Sequence, residues 1–418
     1  MAYIIKNSND SNYARADFIS ALGGLQPRLE SGKNIKTING NSVLGSGNID
    51  VSQREYIYDL TQVEQGLQSN AISKLNSINP SHKYMAFGFL TDLHESYNDI
   101  PYTGGGSNVI ITSKHELRLM GSIAHTYGLD AVLFGGDYSL GKDLTYEQYN
   151  AALDELITDV NTNISVPRYA TEGNHDRWYD TDVQCRGNAE WLAFLKRFNS
   201  SGAVYIDNQD AVNGNGVKPY AGEVGNTYYI DFPAYKVRVI MKSQYEFQEL
   251  NGSPSAVGAG FFAKNYYDAM QFENPSDALE WTIVSVSHYT TMWANTYLNH
   301  YFNGTAQGKG ANSNQFVFSP CNGGNKGKAV VGEIYGHVHS LATHAMSENN
   351  ELISLSVWNS FAPKDGDYQN DDYHFSIFVI DTDNWMLHEI KVGLLYDTTD
   401  NAYYNSGTGV FSYPIRHN

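Results

Sequence analysis

Five times along this chain a short apolar run stops at once on a glycine, an aspartate or a histidine, and this repetition limits the possible folds more than any other feature. Met85–Leu90 leads through Thr91 to Asp92-Leu93-His94, and Ala131–Phe134 leads to Gly135-Gly136-Asp137. Pro167–Thr171 is followed by Gly173-Asn174-His175-Asp176. Ile283–Ser287 ends on His288, and Val330–Tyr335 ends on Gly336-His337-Val338-His339. Runs of this length are strands, and loops at strand ends set side chains along one edge of a sheet. Glycines before Asp137, Asn174 and His337 let the backbone turn sharply and approach a ligand. Carboxylates, an amide oxygen and imidazoles form a donor set suited to Mn, Fe, Zn or a mixture. Taken singly, each piece has a bland reading: an accidental Asp-x-His, a hydrogen-bonded core histidine, a Gly-Asn-His-Asp turn. Five of the thirteen histidines fall inside the pattern, always at the end of an apolar run, and accident does not produce that order.

Between the runs the period changes from strand to helix. Leu117, Met120, Ala124 and Tyr127 recur at helical spacing, as do Tyr146, Tyr149, Leu153, Leu156 and Val160. Thr145 with Gln148 three residues on predicts a capping box for the second helix. Beyond His339 the chain becomes strand-rich, with Leu352–Trp358, Phe375–Ile380 and Met386–Val392. Strands alternating with helices predict an α/β class. Residues 303–328, rich in Gly and Asn, read as a long loop able to overhang a site. Residues 56–83 read as a linker with helical character, and 396–418 as a C-terminal tail.

The first fifty-odd residues differ in texture. Two short strands, Ile35–Ile38 and Asn48–Val51, flank a Gly/Asn/Ser turn. That is too little apolar material to fold alone. It is either a small extension lying on the main domain or an attachment module that needs a partner. The formal charge of −18 argues against a surface that coats nucleic acid, which needs clustered Lys and Arg. A phosphate-bearing substrate stays open, because bound cations invert the local field. Cys185 and Cys321 are the only cysteines, so no disulfide framework or cysteine-based zinc site is expected, and their pairing is not legible. The opening residues lack the apolar core of a signal peptide, and no run reaches the roughly 18 residues of a membrane span. Ordinary secretion and a membrane partner are therefore not expected.

In their order, Asp92-x-His94, Gly136-Asp137, Gly173-Asn174-His175-Asp176, His288 and Gly336-His337-x-His339 resemble the signature of the calcineurin-like metallophosphoesterase superfamily. The resemblance covers residues 84–395. It implies two packed mixed β-sheets flanked by helices, with a dinuclear metal site at the sheet edge. Carried over position by position, Asp92, His94 and His339 would hold one metal, Asn174, His288 and His337 the other, and Asp137 would bridge them. His175 would face the substrate, as proton donor to the leaving oxygen or as an imidazolium that stabilises its charge. Two cations so held would clamp phosphate oxygens and supply a hydroxide nucleophile at neutral pH. Asp176 is either an orienting partner for His175 or a surface turn residue. Arg177, Tyr289 and His300 are candidate substrate contacts, with Trp293 and Trp358 as further cleft residues or ordinary packing. His82, His115, His125, His344, His374, His388 and His417 are assigned structural roles.

Residues 1–55 carry a second resemblance. The run Asn34–Val51, with the lead-in before it, is similar to segments near the N-termini of bacteriophage tail-fibre and baseplate proteins. This implies a virion enzyme, attached to other virion subunits through that segment. It would act outside the host cell on a phosphate-containing surface polymer such as teichoic acid. Two alternatives stand beside it: a cytoplasmic bacterial metallophosphatase or phosphodiesterase of general metabolism, and a silent virion protein that binds glycan or phosphate without turnover.

Overall fold

A computed structural model of the chain describes residues 56, 58–96, 98, 113–139, 144–173, 175–176, 188–206, 227–242, 269, 272, 280–288, 329–337, 344–346, 350–357, 374–397, 402–405 and 409–417. The chain divides between Ile57 and Tyr58 into two units, and every described element belongs to the second. The expectations for residues 1–55 and for the loop 303–328 lie outside the described residues.

In chain order the elements are α1 (Gln62–Ile78), β1 (Met85–Leu90), α2 (Lys114–Tyr127), β2 (Ala131–Phe134), α3 (Tyr146–Asn163), β3 (Arg168–Ala170) and α4 (Asn188–Phe198). Next come β4 (Ala203–Tyr205), β5 (Tyr228–Phe232), β6 (Val237–Lys242), β7 (Thr282–Ser287), β8 (Ala329–Tyr335), β9 (His344–Met346) and β10 (Leu352–Ser356). The chain ends with β11 (His374–Asp381), β12 (Met386–Asp397), β13 (Ala402–Asn405), β14 (Val410–Pro414) and β15 (Arg416–His417).

All five apolar runs are strands, and they divide between two mixed sheets. The first sheet has seven strands in the order β13-β12-β11-β1-β2-β3, with β14 also on β12. The second has eight, in the order β4-β5-β6-β7-β8-β10-β9, with β15 on β8. β1, β2 and β3 run parallel, and Leu90, Phe134 and Ala170 are in register. β6, β7 and β8 also run parallel, with Lys242, Ser287 and Tyr335 in register. Level strand ends are what place the following loops beside one another. Every residue of β1, β2, β6, β7 and β11 is buried, as expected of strands covered on both faces. Each fully buried Phe, Ile, Leu or Val there contributes roughly 1.5–3 kcal/mol by leaving water.

One apolar core joins the sheets, running from Phe87 and Phe134 to Val239, Val286 and Ile334. Tyr228 of β5 donates its hydroxyl to the Ala170 carbonyl of β3 at 2.6 Å, which ties the layers at the site end. Helices α2 and α4 flank the first sheet, packing on β1 and β3, with α1 and α3 beside them. The α2 stripe Leu117, Met120, Ala124 and Tyr127 is buried, and Gly128 ends the helix in the left-handed region. In α3 the Thr145–Gln148 capping box is present, and Tyr149, Leu153, Leu156 and Val160 are buried. Tyr146 departs from the expected stripe and is exposed at the first residue of the helix. The stretch 396–418, expected to be a tail, instead carries strands: β14 pairs with β12, and β15 with β8. Among the described residues no helix is long and apolar enough to cross a membrane.

Candidate metal centre

Four expected ligands share an uncommon backbone. Asp92, His94, Asp137 and His337 have φ of 55°, 44°, 56° and 70°, in the left-handed region. Each such conformation costs on the order of 1–3 kcal/mol and persists only where its surroundings enforce it. The enforcement is visible. Past the ends of β1 and β2 the two loops keep bonding: Asp92 N–H to Gly136 O at 2.8 Å, His94 N–H to Asp137 O at 2.9 Å, and Glu95 N–H to Tyr138 O at 2.9 Å. Two glycines mark close approaches, one between loops of the first sheet and one between a loop of the second sheet and a loop of the first. A Cβ on Gly173 would collide with Asp137, and one on Gly336 with Thr91 and the Asp92 carboxylate.

Two groups of three converge on one carboxylate. Asp92, His94 and Asp137 form one, and Asp137, His288 and His337 the other, with donor atoms inside each group within 4.8 Å of one another. Asp137 Oδ2 lies 3.1 Å from His288 Nε2 and 3.6 Å from His94 Nε2. His288 Nε2 in turn lies 3.2 Å from His337 Nδ1. The His288 ring is oriented from behind, with Nδ1 2.8 Å from the Gly135 carbonyl, so Nδ1 is the donor and Nε2 turns a lone pair on the site. A lone pair, a carboxylate and a second imidazole nitrogen then point at one small volume. Such an arrangement is repulsive unless positive charge sits among them, so the donor set fits a cation.

The electrostatics agree. Burial works to raise the Asp137 carboxyl, but the imidazoles of His288, His94 and His175 outweigh it and hold it far below the usual carboxylate range. Burial likewise lowers His288, yet the Asp137 and Asp92 carboxylates overcome this and push it up to about 10, so a proton on Nε2 and a bound cation are alternative occupants of the same place, and metal binding would displace the proton. Asp92 is braced by Thr91 Oγ1–H at 2.7 Å and by the His337 backbone amide, 2.9 Å from Oδ2.

His175 sits half-buried beside this cluster. Its backbone amide donates to Asp137 Oδ1 at 2.7 Å, and its ring meets the His94 ring edge-on at 4.9 Å. Its imidazole makes no hydrogen bond to another described residue, which leaves it able to face a ligand. Asp176 is fully buried, so the surface-turn reading does not hold. Its carboxylate accepts the backbone amides of Gly173 and Asp137 at 2.7 Å and of Tyr138 at 2.8 Å. It thus holds the His175 loop through the backbone, and its oxygens are spent on amides and not on the His175 ring. Two residues outside the metal-site signature complete the brace. Tyr149 donates its hydroxyl to the Asp176 carbonyl, and the Tyr138 hydroxyl lies 2.6 Å from Thr171 O while accepting Gly136 N–H at 3.1 Å. Tyr138 directly follows Asp137, and a tyrosine beside a ligand in an otherwise polar loop is the available signal. Asn174, His339, Arg177, Tyr289 and His300 lie outside the described residues, as do Trp293 and Trp358.

The family model described as calcineurin-like phosphoesterase matches residues 85–341. The chain belongs to that family. It is a metal-dependent phosphoesterase, with two packed mixed sheets and a candidate dinuclear site at their common edge. Comparison with curated proteins finds no match. Among solved structures, a dimetal phosphatase from Danio rerio aligns over 79% of this phosphoesterase and 99% of its own length, at 12% identity and a TM-score of 0.47. A purple acid phosphatase from yellow lupin (Lupinus luteus) seeds aligns over 78% and 53%, at 14% identity and a TM-score of 0.36. Vacuolar Protein Sorting 29 from Cryptosporidium parvum aligns over 79% and 98%, at 9% identity and a TM-score of 0.27. Likenesses this distant carry no argument.

Proposed function

We propose that Asp92, His94 and His339 hold one cation, that Asn174, His288 and His337 hold a second, and that Asp137 joins them. The observation that carries this reading is the sharing of Asp137 by two three-residue groups. Cations bound there, of Mn, Fe or Zn, would supply a nucleophile at neutral pH and neutralise phosphate oxygens. The protein's own part is positional. Asp137 stays ionised between imidazoles, His288 is turned by the Gly135 carbonyl, and His175 stands at the rim to donate a proton to the leaving oxygen. Asp176 acts behind them, fixing the backbone that carries Asp137 and His175.

For the substrate, the reading is a phosphate-containing cell-surface polymer such as teichoic acid, cleaved by a phage virion enzyme outside the host cell. Its support is the likeness of Asn34–Val51 to segments of tail and baseplate proteins, which would join the enzyme to other virion subunits. A charge of −18 also disfavours nucleic acid as the phosphate source. The test is a panel of aryl phosphomonoesters, aryl phosphodiesters and purified teichoic acid, assayed with Mn, Zn and Fe, alongside a search for the chain in purified particles. Teichoic acid cleavage together with presence in particles is the expected result. Turnover of small metabolite esters alone, with no chain in particles, would overturn the virion reading and leave the phosphoesterase standing.

A further inference from the structure

A second polar cluster lies on β6, β7 and β8, near the ends of the two strands that lead into His288 and His337. Along β6 and β7 the residues Val239, Met241, Val284 and Val286 face the first sheet and belong to the shared core. Alternate residues must then face the other way. Lys242 and Ser287, registered partners at the ends of these strands, are on that far face. Glu333 of β8 joins them there: Lys242 Nζ pairs with Glu333 Oε1, and Ser287 Oγ donates to the same oxygen at 2.7 Å. All three side chains are buried, at 1%, 2% and 0% exposure for Lys242, Glu333 and Ser287.

Burying such a pair is seldom a gain in stability. Desolvation of both charges cancels much of their attraction, and apolar replacements of similar volume are often neutral or stabilising. Burial indeed pulls the Lys242 ammonium below its usual range despite the nearby Glu333. What the cluster does offer is directional bonding at one place, and that place is notable. Ser287 immediately precedes His288, and Glu333 lies on the strand that runs through Tyr335 and Gly336 into His337. The Lys242 carbonyl accepts Thr171 Oγ1–H at 2.8 Å, just before the loop of Gly173 and His175. β8 needs such a tie, because its register with β7 shifts between Val284 and Ser285, shortly before the ligands.

We propose that Lys242, Ser287 and Glu333 are positioning residues that lock the relative register of β6, β7 and β8 and so set the His288–His337 half of the centre. This rests on the two-cation reading of the site. The cluster acts through the backbone of the strands that carry the two histidines.

The test uses the full chain, with Mn²⁺ as the probe, in three forms: the parent, the double variant Lys242→Met/Glu333→Leu, and Ser287→Ala. Thermal midpoint, Mn²⁺ binding by calorimetry, the paramagnetic resonance spectrum and steady-state kinetics are measured for each. In the double variant the midpoint should stay near the parent's, while the weaker Mn²⁺ site loses about 10–100-fold in affinity, as outer-shell changes do. The spin-coupled spectrum of a Mn²⁺ pair should give way to that of single ions, and kcat should fall with KM little changed. Ser287→Ala should show the same pattern to a smaller extent, and it decides the matter if the double variant does not fold. Two Mn²⁺ ions bound at parental affinity in either folded variant, with parental kcat, would overturn the positioning role. A parent that binds no Mn²⁺ pair at all would instead overturn the two-cation reading, so the two failures are distinct.

Discussion

Asp137 and Asp176 hold each other's loops: Asp176 Oδ2 accepts the Asp137 backbone amide at 2.7 Å, while Asp137 Oδ1 accepts the amide of His175, the neighbour of Asp176, at 2.7 Å. Burial, and then the nearby Asp137 charge, push the Asp176 carboxyl above its usual range, whereas the surrounding imidazoles keep Asp137 ionised. One carboxylate is thereby assigned to the site and the other to its frame. Asp176→Ala leaves three buried amides without an acceptor, at about 1–3 kcal/mol each. A fall of several kcal/mol in denaturant stability is expected. Stability within about 0.5 kcal/mol of the parent, the usual range for an uninvolved surface change, would remove Asp176 from the frame.

His175 should behave in the opposite way. His175→Ala is expected to keep its metals and its midpoint, and to lose roughly 10²–10⁴-fold in turnover, the range for a lost acid–base group. The loss should shrink for esters with acidic leaving groups, which need little protonation. A variant that sheds metal would place His175 among the ligands.

Whether an element or a contact is legible in the sequence depends on how local its causes are. β1 and β2 match the apolar runs residue for residue, because strands buried on both faces need unbroken apolar stretches. The loops that carry the candidate ligands are legible for the same reason, since each begins where such a run stops. β4, β5 and β6 escape notice, although Tyr228–Phe232 and Val237–Lys242 are apolar pieces of the right length. They lead into no candidate ligand, so nothing draws attention to them. The burial of Asp176, and the bonding of its carboxylate to backbone amides, depends on loops from separate strands meeting, which no local pattern encodes. The same holds for the Lys242–Glu333 pair, 91 residues apart in the chain.

Acid sensitivity should trace in part to His374. Burial, with a smaller contribution from His115, pushes its imidazole down to about 3 from the ordinary 6.5. The folded state therefore binds fewer protons than the unfolded one between about pH 6.5 and 3, and stability falls as pH drops through that window. At about 1.36 kcal/mol per unit the cost reaches about 2 kcal/mol by pH 5. Against the parent, His374→Gln should gain that much between pH 7 and pH 5 in denaturant titrations. A difference that stays constant with pH would show that His374 titrates normally.

Deleting residues 1–52 should leave hydrolysis and midpoint close to those of the full chain, while incorporation into particles is lost. Every proposed ligand lies at Asp92 or beyond, and the second unit has its own core and its own first helix, capped by Thr61 and Glu64. A large drop in midpoint with loss of activity would make the segment part of the catalytic fold and remove the main support for the virion reading.

The dinuclear centre joined at Asp137 is tested most directly by metal analysis of Asp137→Asn beside the parent, after loading with Mn²⁺ and removal of excess. The parent is expected to hold about two ions per chain, as two-metal phosphoesterases do. Because one carboxylate serves both three-residue groups, the neutral amide should weaken both sites together, and metal content and aryl-phosphate hydrolysis should fall in step. Near-parental stoichiometry with near-parental activity in Asp137→Asn would contradict the shared carboxylate, and with it the central arrangement of the site.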